Sequence, residues 1–213
     1  MSHSRNLGLS AKVPDDSVMI DIETCGTSTN YSPIIQIGAA KFDSDFMVTS
    51  TFKESLTIPA SRPITRSSEE WWAANGPSVY KNIRDAERPF VKVLSEFATW
   101  LPDGASLWAW PVSFDLVFLL QYGRQHLRAI ANALRDKNKW IDSSSWISGR
   151  RSNSSIEYSE LDRVYEDVRE DNVLHDGLSD TLWQIRCLKA VDNLVRSRER
   201  RDGIFGGLEG GED

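Results

Sequence analysis

The stretch Met19-Ile20-Asp21-Ile22-Glu23 decides how this chain is read. Side chains alternate faces along a strand, so Asp21 and Glu23 share one face while Ile20 and Ile22 share the other. Two carboxylates side by side on so apolar a strand, with no adjacent Lys or Arg, are expensive to desolvate. A bound divalent cation is the usual compensation. A wetted strand end would also accommodate the pair, and the segment alone leaves both open.

Working outward, Val18–Glu23, Ile34–Phe42 and Thr49–Ile58 read as three strands separated by polar turns, which suggests a meander. Ser67-Ser68-Glu69-Glu70 has the form of a capping box in front of Trp71 and Trp72, so a helix is expected to begin there. Phe90, Val93, Leu94, Phe97 and Leu101 recur at helical spacing behind Pro89. Leu107–Val112 reads as a buried strand feeding a helix near Ser113–Gln121, and a further helical stretch spans about Gln125–Lys137. The Ser-rich segment Asp142–Ser155 reads as a loop, and a last helix runs from Gly177 to about Arg198. Strands first, then alternation with helices, predict an α/β fold: a mixed sheet flanked by helices.

At 213 residues, 40% hydrophobic and 26% charged, the chain fits one domain with a sizeable core, expected over residues 17–198. Flexible segments are expected at 1–16 and at 199–213, where the sequence turns from basic to Gly-rich and acidic. No run approaches the roughly 18 apolar residues of a membrane span, and the N-terminus lacks an apolar signal segment, so a cytoplasmic protein without a membrane partner is expected. The two cysteines, Cys25 and Cys187, have no metal-ligand spacing and read as free thiols. A net charge of −6 argues against a broad basic nucleic-acid surface while leaving room for a local groove.

Two further groups join the strand carboxylates. Asp115 opens the helix that follows the apolar strand; alone, it could be an early-turn acid favoured by the helix dipole. His175 and Asp180, in Val173-Leu174-His175-Asp176-Gly177-Leu178-Ser179-Asp180, fall just before and within the first turn of the last helix. A lone His there could equally be a surface or capping residue.

Asp-x-Glu near the N-terminus, a middle Asp and His-x₄-Asp near the C-terminus together form a far more specific pattern. Over roughly residues 17–190 the sequence resembles the DEDDh (DnaQ-like) 3′-5′ exonucleases, which have an RNase H-like fold. The segments Arg62–Trp72, Asp21–Thr27 and Pro33–Gly38 look most like the phage exonuclease A type. Trp108-Ala109-Trp110 departs from the usual middle motif and is similar to a Trp-rich exoribonuclease version, and Asn75 stands where a Gln often follows the paired tryptophans.

The resemblance implies a catalytic set of Asp21, Glu23, Asp115, His175 and Asp180, with the four carboxylates holding two divalent cations, Mg²⁺ or Mn²⁺. Asp21 would bridge both ions, Glu23 and Asp180 would complete the one that binds the attacking water, and Asp115 would hold the second. His175 would act as general base from a mobile loop. Thr24, Cys25, Gly26, Trp71, Trp72 and Phe114 are the expected substrate contacts. Trp71 and Trp72, about 100° apart on a helix, cannot both centre one buried stripe. The implied partner is nucleic acid with a free 3′ end, single-stranded DNA ahead of short or structured RNA. A catalytically inactive nucleic-acid-binding module is the alternative from another class. Location would be the host cytoplasm for a phage protein, and oligomeric state is open, a homodimer included.

Overall fold

The computed structural model describes residues 12–136, 138–169 and 172–205. Of the segments expected to be flexible, residues 1–11 and 206–213 lie outside the described ones, whereas 199–205 belong to a helix. Val13 is buried, and the Asp16 carbonyl accepts from the Ser106 amide (2.8 Å).

Strands β1 (Ser17–Thr24), β2 (Ile34–Phe42) and β3 (Val48–Leu56) form the predicted antiparallel meander. Helices α1 (Arg66–Asn75) and α2 (Pro77–Asp85), strand β4 (Glu87–Arg88) and helix α3 (Phe90–Trp100) follow. Then come β5 (Ser106–Ala109), α4 (Val112–His126), α5 (Arg128–Asp136), β6 (Lys139–Asp142), α6 (Ser143–Asn153), α7 (Tyr158–Asp167) and α8 (Gly177–Phe205). One mixed six-stranded sheet results, in the order β4-β3-β2-β1-β5-β6, with β5 and β6 parallel to their neighbours.

The central strand β1 divides the core. Val18, Ile20 and Ile22 pack with residues of α3, α4 and α5, whereas Met19 packs on the other face with Ile185, Leu188, Val191 and Val195 of α8. Period-two alternation therefore turns Asp21 and Glu23 toward α8. No described helix is long and apolar enough to cross a membrane.

Several boundaries differ from the sequence reading. The segment Asp142–Ser155 is mostly helix α6 rather than loop: Asp142 accepts from the Ser145 amide (2.8 Å) as N-cap, and a run of serines hid a helix whose start signal was present. Thr65, not Ser67, caps α1 by accepting from the Ser68 amide. Strand β5 stops at Ala109, and after a cis Trp110–Pro111 bond α4 begins at Val112. Helix α5 occupies only the later part of the expected Gln125–Lys137 helix, and α8 extends to Phe205, past the expected Arg198.

Candidate metal and nucleic-acid site

Helix α8 reaches the acidic strand because two glycines let it. Gly38 lies opposite Asp21 in the β1–β2 register, and a Cβ on it would stand 2.0 Å from the Gly177 carbonyl carbon. Gln36 Oε1 accepts from the Gly177 amide (2.7 Å), and Asp176 caps the helix by accepting from the Ser179 amide (3.1 Å). The first turn of α8 thus places Asp180 over β1. Oxygen atoms of Asp21, Glu23 and Asp180 all lie within 4.8 Å of one another.

Asp115 enters from α4, buried beside this trio rather than within it, and its Oδ1 accepts from the Ile22 amide (3.0 Å). All four carboxyls titrate above their ordinary range. Burial is the main cause for each, and for Asp21 repulsion from Asp115, Glu23 and Asp180 adds to it. Glu23 is raised further by Asp180, Asp115 and Asp176. Asp115 is pushed up to about 7 against the opposing Ile22 amide. Asp180 is raised less decisively, because Asn172 and the His175 amide donate to it.

The groups that donate to these carboxylates are neutral amides: Gln184 Nε2 to Asp21 (2.9 Å), Asn172 Nδ2 to Asp180 (3.0 Å), and the backbone of Ile22 and His175. Among the described residues, no Lys or Arg pairs with any of the four; Lys53 pairs instead with Asp176. A concentrated negative charge with only oxygen donors fits a hard divalent cation such as Mg²⁺ or Mn²⁺.

His175 sits at φ +63°, a left-handed conformation unusual for a residue with a side chain. Its amide donates to Asp180 Oδ2 (2.9 Å), and its ring lies edge-on to Trp71 and Trp72, with centroids 4.9 and 5.9 Å away. All five expected catalytic residues therefore converge on one end of the sheet, with His175 held on the α1 side.

An open cleft of about 510 Å³ adjoins Glu23. Of the expected substrate contacts, Thr24, Gly26, Trp71, Trp72 and Phe114 line it, joined by hydroxyl residues that the sequence reading did not assign to the site: Ser28, Ser32, Thr65, Ser67 and Ser68. The tryptophans divide their tasks. Trp71 is 45% exposed, whereas Trp72 is buried and donates to the Thr24 carbonyl (3.1 Å). Cys25 requires a correction, because it is buried against Ile35 and Trp72 and its amide donates to Pro33. Burial pushes its thiol up to about 11, which disfavours the reactive thiolate at neutral pH. Gln184 was also missed, although its place four residues after Asp180 puts both on one helix face.

The family described as the 3′-5′ exoribonuclease Rv2179c-like domain matches residues 16–192. The chain belongs to this family. The match supports the resemblance to 3′-5′ exonucleases read from the sequence. No curated protein matches the sequence.

Among solved structures, the Rv2179c-like chain is similar to the zinc-bound E. coli exonuclease I–single-stranded DNA complex, at 15% identity and TM-score 0.65, covering 88% of this chain and 42% of that one. It is similar to E. coli exonuclease I with a dA16 oligonucleotide at 16% identity and TM-score 0.62, covering 90% and 43%. Magnesium- and manganese-bound S. pombe Pop2p matches at 17% identity and TM-score 0.56, covering 84% and 83%. The Rv2179c-like chain thus spans less than half the length of exonuclease I, and these likenesses establish the RNase H-like fold. The finer likeness to phage exonuclease A rests on the sequence segments alone.

Proposed function

We propose that this chain is a divalent-metal-dependent exoribonuclease that removes mononucleotides from the 3′ end of single-stranded RNA, working as one catalytic domain over residues 17–198. The observation that carries the proposal is the Asp21–Glu23–Asp180 trio, with oxygens within 4.8 Å, whose Glu23 also lines a cleft walled by hydroxyls. The family's description as an exoribonuclease domain supports RNA ahead of the single-stranded DNA expected from the sequence segments. Thr65, Ser67 and Ser68 on one side and Ser28 and Ser32 on the other offer the donors and acceptors that a ribose 2′-hydroxyl requires.

Asp21, Glu23 and Asp180 would hold one Mg²⁺ or Mn²⁺ ion, and Asp21 and Asp115 a second. When bound, such a pair supplies an activated water and neutralises charge on the phosphate and the leaving 3′-oxygen. The chain's own residues do the rest. The cleft orients the terminal nucleotide, with Trp71 presenting an exposed ring for its base. Trp72 fixes the Thr24 carbonyl at the cleft floor. His175 takes the proton of the attacking water at its imidazole as the bond between phosphorus and the 3′-oxygen breaks.

Single-stranded DNA is the second reading, favoured by the Arg62–Trp72 segment's likeness to phage exonuclease A and by the DNA held in the exonuclease I complexes. Matched RNA and DNA strands labelled at the 5′ end, incubated with Mg²⁺, decide between them. Faster shortening of RNA is expected. Faster shortening of DNA moves the substrate to the second reading, and no shortening of either strand overturns the activity.

A further inference from the structure

Asp21 is hemmed in by the other carboxylates of the site. It is the carboxylate on which Asp115, Glu23 and Asp180 all press, and its neighbour across the β1–β2 ladder is Gly38, which offers no side chain to hold it. The group that does hold it comes from α8. Gln184 lies one helical turn beyond Asp180 and is 4% exposed. Its Nε2 donates to Asp21 Oδ1 at 2.9 Å.

The orientation of this carboxamide follows from the metal-bound state, in which Asp21 is ionised and only accepts, so that the nitrogen must face it. That leaves Gln184 Oε1 buried without a partner. An unpaired buried oxygen is unfavourable, so packing alone does not account for a glutamine here: a Met or Leu of similar size would fill the space without it. A Lys or Arg would pair with Asp21 and offset the negative charge that attracts a cation. A neutral donor is the choice that fixes the carboxylate while leaving the charge of the cluster intact.

We propose that Gln184 is a positioning residue for metal binding: its carboxamide pins one oxygen of Asp21 and leaves the other for the cation shared with Glu23 and Asp180. This inference rests on the metal site of the proposed function. Groups that orient metal ligands in this way typically change metal affinity or activity by about 10–100-fold when removed.

The test is Gln184→Met, which keeps the volume and cannot donate, with Gln184→Ala as a second variant. Calorimetric titration of the full chain with Mn²⁺ alone is paired with kcat and KM on single-stranded RNA. The expected result is a melting temperature of metal-free Gln184→Met at or near the parent's, Mn²⁺ affinity lower by about 10-fold or more, and kcat lower with KM little changed. Raising Mn²⁺ should recover part of the lost rate. A lower melting temperature with parental Mn²⁺ affinity in the folded protein would make Gln184 a packing residue and overturn the inference, as would parental affinity and kcat in both variants. A parent chain that neither binds Mn²⁺ nor shortens RNA would instead overturn the proposed function.

Discussion

Gly177 at the start of α8 rests on Gly38 of β2, so closely that a Cβ on Gly38 would stand 2.0 Å from one backbone atom of Gly177 and 2.2 Å from another. Gly38 is also the ladder partner of Asp21. The height at which α8 presents Asp180 to Asp21 is therefore set by the absence of two methyl groups. Gly38→Ala should push the first turn of α8 outward. Overpacking of this kind costs about 1–3 kcal/mol of stability, while displacement of a catalytic group by about 1 Å costs on the order of 10²-fold in rate. Kinetics and a thermal melt on this variant are expected to show a larger loss of turnover than of folding. Near-parental turnover would mean the contact does not set the site.

The pH dependence of the metal-free protein follows from the raised carboxyls. Burial pushes Asp115 up to about 7 in the fold, above the ordinary carboxylate range, and Asp21, Glu23 and Asp180 shift in the same direction. A raised carboxyl pKa means the folded state holds protons that the unfolded state has released, so stability is present at low pH and is lost as pH rises from about 4 through 7. Metal-stripped protein should melt at a lower temperature at pH 8 than at pH 5, and saturating Mg²⁺ at pH 8 should reverse the loss. Asp21→Asn should raise the metal-free melting temperature at pH 8 and abolish turnover. A melting temperature that climbs from pH 5 to pH 8 in the stripped parent would contradict this account of the cluster.

His175→Ala is expected to lower kcat by roughly 10²–10⁴-fold, the range for loss of a general base. Its ring packs edge-on to Trp71 and Trp72, and its hydrogen bond to Asp180 comes from the backbone amide, so Mn²⁺ affinity by calorimetry should stay near the parent's. An equal loss of metal affinity would make the imidazole a ligand.

The adjacent tryptophans should separate cleanly. Trp71→Ala should weaken binding of single-stranded RNA by about 1–3 kcal/mol, the range for one stacked base, with little change in melting temperature. Trp72→Ala removes a buried ring and the donor to the Thr24 carbonyl, and should destabilise the fold by about 3–5 kcal/mol. The opposite assignment, with Trp71 needed for folding and Trp72 for binding, would place the substrate elsewhere.

What could be read in the sequence was whatever carries a period or a spacing. The alternation in Met19–Glu23 put both carboxylates on one face, and the interval from His175 to Asp180 located the start of α8. The helical period behind Pro89 matched α3 within a residue. Helix α6 stayed hidden because its serines match loop composition, while the Asp142 cap that starts it is a single side chain. Cys25 was misplaced because its neighbours Thr24 and Gly26 do line the cleft, while its own side chain is buried in the small core with Ile35 and Trp72. The hydroxyl wall from Ser28 to Ser68 is assembled by tertiary contact between a turn and α1, for which no local pattern exists.

The central claim is that the clustered carboxylates make this chain a metal-dependent hydrolase acting from a free 3′ end. A single-nucleotide-resolved time course on 5′-labelled linear RNA, beside circular RNA of the same sequence, tests it most directly, run with Mg²⁺, with excess chelator, and with Asp21→Asn. The account predicts a descending ladder and mononucleotide products for the linear strand with Mg²⁺, and no products from the circle, from the chelated reaction or from the variant. Cleavage of the circle, or an undiminished ladder in chelator, would contradict it.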